Sequence, residues 1–162
     1  MSLTWKASCL FFVLSNHMVT KHLPTCEVRH DIETEEVLIK GTIEGLKPGK
    51  HGLYVCALGN ITDGYTSSGV HYNPCEKKHG GPEDTERHVG DLGNIEANDD
   101  GVANFEMHDR LLRLAGNYSI IGRTLVVTEN EDDLGKAEND DSTVTGNVGK
   151  GLAWGIIGIA NK

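Results

Sequence analysis

Residues 69–94 read G-V-H-Y-N-P-C-E-K-K-H-G-G-P-E-D-T-E-R-H-V-G-D-L-G-N, and four side chains in this run can hold a metal: His71, His79, His88 and Asp91. Three imidazoles and one carboxylate make a complete tetrahedral set for zinc, which takes N and O donors with no d-electron preference for geometry. No position is left for water, so the set reads as a structural site rather than a catalytic one. The ligand forms are neutral imidazole and ionised carboxylate, so binding should weaken below about pH 6. His17, His22, His30 and His108 stand outside any such spacing and read as surface or packed residues.

The elements that must position these donors have a β character. Aromatic residues are only 6% of the chain and glycines number 20, which suits strands joined by tight turns. Strands are expected at Ser8–Leu14, Glu36–Thr42, Leu53–Leu58, Gly101–His108, Tyr118–Val127 and Leu152–Ala160. An edge strand is expected over Met18–Val28, demoted by Pro24. Residues 59–92 form one long connection without periodicity, and a loop of that length is usually functional or held by a ligand. A second long loop runs over Glu129–Lys150, with seven acids and one lysine, Lys136, between Glu129 and Asp141. No segment fits a helix better and no repeat occurs. The pattern predicts a single domain over residues 1–162, an all-β Greek-key barrel or sandwich of the immunoglobulin-like kind with two long functional loops.

A net charge of −9 argues against a nucleic-acid partner, because phosphate binding needs a basic surface that releases counterions. No stretch approaches the roughly 20 apolar residues that cross a bilayer. The run Cys9–Leu14 is too short, and too poorly flanked, for a secretory signal. Cys9, Cys26, Cys56 and Cys75 make no C-x-x-C pair, and reduced thiols in a cytoplasmic protein are expected.

From His51 through Ala160 the chain carries G-V-H-Y-N-P, K-H-G-G-P, R-H-V-G-D-L-G-N-I, G-R-T-L-V-V, D-D-L-G-K, T-G-N-V-G and G-I-I-G-I-A, and this ordered series resembles the copper,zinc superoxide dismutases. The resemblance implies zinc on His71, His79, His88 and Asp91, and a copper site sharing His71. The three further copper imidazoles fall at Tyr54, Cys56 and Thr128. It places the arginine that holds superoxide at Gly151, a guiding lysine at Val144, and the family's intrasubunit disulfide at Tyr65 and Trp154. Those two aromatic residues are expected to bury against each other in its place. His51 resembles a structural position.

The resemblance also implies that Asp132 bridges a zinc-bound and a copper-bound imidazole. With Tyr54 on the copper side, a Tyr54 O–H to Asp132 hydrogen bond is expected, and the free nitrogen of His71 should seek the oxygen of Thr128 or Tyr54, or water. Gly59, Ile121, Gly122 and Ile159 match the family's dimer face. Zinc without copper is therefore expected, in a non-catalytic homodimer with a binding, regulatory or decoy role. Pairing with an active dismutase or its copper chaperone is the related expectation. The rival is a dismutase whose copper is held through Cys56 and His71, since thiolate is a good Cu(I) ligand.

Overall fold

Val37, Ile39 and Ile43 are buried while Lys40 is exposed, the period-two alternation of a strand with one face on a core. In the computed structural model, which describes residues 6–10, 12–13, 25–31 and 34–160 with side chains from residue 26 onward, these residues form strand β4. The described strands are β1 (Lys6–Leu10), β2 (Phe12–Val13), β3 (Thr25–His30), β4 (Val37–Glu44), β5 (Gly49–Val55), β6 (Thr62–Tyr65), β7 (Asp91–Ala97), β8 (Val102–Asp109), β9 (Thr124–Thr128) and β10 (Gly151–Ile159). The hydrogen-bonded order is β7-β5-β9-β10-β1-β3-β4-β8, antiparallel throughout, with β2 on β10. Sequential pairs such as β9–β10 and β3–β4 alternate with pairs distant in sequence such as β5–β9, β10–β1 and β4–β8, as in a Greek key, and two antiparallel sheets share the β10–β1 seam.

Alternation divides the interior in two. Leu53 and Val55 of β5 and Leu125 and Val127 of β9 point into the main core with Ile39, Ile43, Ile95, Leu112, Ile120 and Ile157. Tyr54, Cys56 and Val126 point to the opposite face and join Val148 and Trp154 in a second buried cluster. The two long loops cover that face, one supplying Ile61 and Tyr65 and the other Val148. All five residues of β9 are buried, as befits a strand covered on both sides.

Several expected boundaries change. Over the described residues β3 runs from Thr25 and pairs with both β1 and β4, so it is interior rather than an edge. The expected strand over Tyr118–Val127 is shortened to Thr124–Thr128, because Tyr118 and Gly122 adopt positive φ and turn the chain. β7 begins at Asp91, inside what reads as unbroken loop. One short helix, α1 (Asp140–Thr145), forms within the acidic loop: the Asn139 side chain caps it by accepting from the Ser142 N–H, two acids occupy its first turn, and Gly146 ends it at φ 74°. The Met18–Pro24 part of the expected edge strand, His17 and His22 lie outside the described residues.

Candidate metal centre

The chain folds His71, His79, His88 and Asp91 into one buried group whose ligand atoms all lie within 4.8 Å of one another. Asp91 opens β7, where the register with Tyr54 of β5 fixes it, and it is wholly buried. Its carboxylate collects the Nδ1 atoms of His71 at 2.8 Å, His88 at 3.1 Å and His79 at 3.1 Å, along with the His88 backbone N–H at 2.8 Å. His71 is held by an antiparallel bridge to Cys56, and the His79 backbone N–H donates to the Thr143 carbonyl of α1 at 2.9 Å.

His79 shows that a cation fits. Its Nε2 lies 2.7 Å from Asp132 Oδ1, where a ring N–H donates to the carboxylate, while Nδ1 approaches Asp91 without hydrogen-bond alignment and is a buried polar atom with no partner. A neutral imidazole with its proton on Nε2 would aim the Nδ1 lone pair at a carboxylate oxygen. A metal ion at that point satisfies both acceptors. In the metal-free chain a proton takes the same part: burial opposes charge on His79, yet the hydrogen bond to Asp132 and the close Asp91 carboxylate outweigh it and lift the pKa to about 9. Burial works against the Asp91 carboxylate, but the three imidazoles hold its pKa far below the ordinary range. For His71 burial dominates and the pKa is lowered despite Asp91. A metal entering the group displaces protons from it.

Residues that did not stand out by type hold these ligands in place. The side-chain amide of Asn94 clamps the Asp132 backbone from both sides, donating from Nδ2 to its carbonyl at 2.8 Å and accepting its N–H at Oδ1 at 2.7 Å. Arg87, 2% exposed, donates to the Asp91 carbonyl and pairs with Asp109 at 2.5 Å, so its charge is compensated beneath the site. Gly146 lies directly over the His79–Asp132 hydrogen bond; a Cβ there would come within 2.0 Å of Asp132 Oδ1. Among these, only the Asn-to-Gly span of α1 left a readable capping signal.

The second set of residues comes together differently. The expected Tyr54–Asp132 hydrogen bond is not formed: Asp132 Oδ1 accepts from His79 Nε2 and from the Leu134 N–H at 2.7 Å, while the Tyr54 ring stacks on His71 with centroids 3.9 Å apart and packs with Cys56 in the second cluster. Strand alternation accounts for this, since Tyr54 and Cys56, two residues apart, face the same side. Nor does Thr128 serve His71. Its hydroxyl donates to the carbonyls of Gly52 and Asn130, at 3.2 and 3.0 Å. Burial pushes the Cys56 thiol up to about 12. His51 is buried, with Nδ1 2.7 Å from the Thr128 carbonyl and Nε2 2.8 Å from that of Lys47, in keeping with a structural role.

Tyr65 and Trp154 do meet, their rings 5.5 Å apart at 51°. Tyr65 also lies on Gly151, where an added Cβ would be 2.8 Å from the ring. Of the four matched face residues, Gly59 packs on the Gly122 carbonyl so closely that a Cβ would be 1.8 Å from it, Ile121 is half-buried, and Ile159 is 70% exposed.

Comparison with known proteins agrees with this architecture. Residues 25–157 match the family model described as copper/zinc superoxide dismutase. A relative from Dictyostelium discoideum, superoxide dismutase [Cu-Zn] 5, is 50% identical over 124 residues, covering 76% of this chain and 82% of that protein. With a Greek-key sandwich, a His/Asp cluster able to hold a metal and these matches, the chain belongs to the copper/zinc superoxide dismutase family.

Proposed function

We propose that this chain is a zinc-holding, copper-deficient family member that acts through binding rather than catalysis, as a regulatory or decoy protein. The observation that carries this is the second buried cluster. Where the resemblance puts three copper imidazoles stand Tyr54, Cys56 and Thr128, and the first two are packed with Val126, Val148 and Trp154 into an apolar plug. Cu(II) asks for a tetragonal set of nitrogen or oxygen donors, and His71 with one thiol does not make one, so the residues do not fit copper. The arginine position is Gly151, covered by Tyr65. The loop leading to it is acidic, an unfavourable field for an anionic substrate.

Zinc suits the other half. His71, His79, His88 and Asp91 would hold it, and when bound it would supply a fixed charge that ties the long loop to β7 and α1. Family members commonly form dimers, and we assign that role here to the Gly59, Ile121, Gly122 and Ile159 face, pairing with a second copy or with an active relative. No described helix is long and apolar enough to cross a membrane. The free thiols of Cys26, Cys56 and Cys75 suit a reducing cytoplasm.

The name of the 50% identical relative favours a second reading, superoxide dismutation with copper on Cys56 and His71. Restoration separates the two. Replacing Tyr54→His, Cys56→His and Thr128→His together should give a chain that takes up copper where the parent does not; each single change should fail, because two imidazoles remain an incomplete cage. Stoichiometric copper in the parent, lost in Cys56→Ser, would establish the second reading instead.

A further inference from the structure

The three imidazoles of the metal group are not held alike. His79 has a carboxylate on its far nitrogen, Asp132 at 2.7 Å. His88 has its backbone N–H and its ring on the same Asp91 carboxylate. His71 has Asp91 on Nδ1, yet among the described residues no carboxylate is hydrogen-bonded to its Nε2. What lies on it is Tyr54, its ring nearly parallel to the imidazole at 20° and 3.9 Å between centroids. The other rings, His79 and His88, stand nearly perpendicular to His71 at 76° and 88°, so among the described rings Tyr54 is the one stacked on it.

Rotation about the Cβ–Cγ bond would swing Nδ1 of His71 away from Asp91, and a stacked ring resists that swing along its whole face. Tyr54 can hold this pitch because it is anchored twice, by β5 between β7 and β9, and by packing in the buried cluster with Cys56, Val126, Val148 and Trp154. Cys56, the residue after β5, in turn bridges the backbone of His71. One short segment thus fixes both the main chain of the ligand and the ring that lies on it.

We propose that Tyr54 is the positioning residue of His71, holding by stacking an imidazole whose ring has one hydrogen bond, to Asp91, among the described residues. The role rests on the zinc reading above, and it belongs to a chain whose second metal position is plugged: Tyr54 both fills that space and uses it to aim a zinc ligand. Outer partners of metal-bound histidines change affinity by about 10–100-fold when removed.

The test uses the full chain as wild type, Tyr54→Phe and Tyr54→Leu. Zinc affinity is read by competition with a chromophoric chelator, and the carbon-bound ring protons of His71 by NMR. Phenylalanine keeps the stacked face and loses the hydroxyl, whereas leucine keeps apolar bulk and loses the ring. Wild type and Tyr54→Phe should show His71 protons shifted upfield by the ring current and hold zinc within less than about tenfold of each other. Tyr54→Leu should lose the shift and bind zinc about 10–100-fold more weakly. Equal zinc affinity in wild type and Tyr54→Leu overturns the role of Tyr54 and leaves the zinc reading standing. A wild-type chain that takes up no zinc overturns both. Should Tyr54→Leu not fold, an absent ring-current shift in wild type still refutes the stacked geometry.

Discussion

Gly146→Ala is a small change whose consequence is calculable. Gly146 caps α1 at φ 74°, and a Cβ there would sit 2.0 Å from Asp132 Oδ1 and 2.5 Å from His79 Nε2. Gly116 has nearly the same backbone, φ 69°, but nothing within 4 Å of the added carbon. Both substitutions force an L-residue into the left-handed region, at about 1–2 kcal/mol. Only Gly146→Ala must also part a buried charge-assisted hydrogen bond, worth a further ~1.5–3 kcal/mol. In a domain of this size each kcal/mol moves Tm by about 2–4 °C. Gly116→Ala should therefore lower Tm by about 2–8 °C, and Gly146→Ala by roughly 5–20 °C. Zinc affinity separates them further: Gly146→Ala should weaken it about 10–100-fold by displacing the carboxylate that orients His79, and Gly116→Ala should leave it unchanged. Calorimetry and chelator competition on the two variants check this. Equal losses of Tm with unaltered zinc affinity in both would refute the claim that the His79–Asp132 pair orients the metal ligand.

Burial pushes Cys26 and Cys56 up to about 12, whereas Cys75 is exposed. Iodoacetamide at about pH 8 should thus label Cys75 in the native chain and spare the other two, because the thiolate is the reacting form; peptide masses showing Cys56 labelled as fast as Cys75 would contradict the sealed cluster. Ile159, on the proposed pairing face, is 70% exposed, and an isologous contact meets each substitution twice. Sedimentation should find a dimer for the parent and a folded monomer for Ile159→Glu, and a parent already monomeric defeats the assignment of that face.

The metal group was legible because its four donors have distinctive chemistry and fall within one unpatterned segment. The barrel was legible where period-two burial is clean, as in β4 and β8. β7 was not, because Gly93 and the site residues Asp91 and Asn94 interrupt its apolar pattern. The stretch from Tyr118 to Gly122 reads as strand by composition, yet positive φ at Tyr118 and Gly122 turns it, a backbone state that apolar residues around it do not announce. Asn94, Arg87 and Gly146 act through geometry that only the folded chain creates. Tyr54 illustrates the same limit: its hydroxyl suggested a hydrogen bond to Asp132, and packing instead made its ring the relevant surface.

Metal content tests the central claim most directly. The chain, produced with zinc and copper both in supply and analysed by elemental mass spectrometry alongside a superoxide dismutation assay, should carry about one zinc per chain, copper far below stoichiometric, and no dismutation above free-metal background. Copper at one per chain with copper-dependent dismutation would contradict the account, since catalysis would then run through the buried cluster of Tyr54 and Cys56.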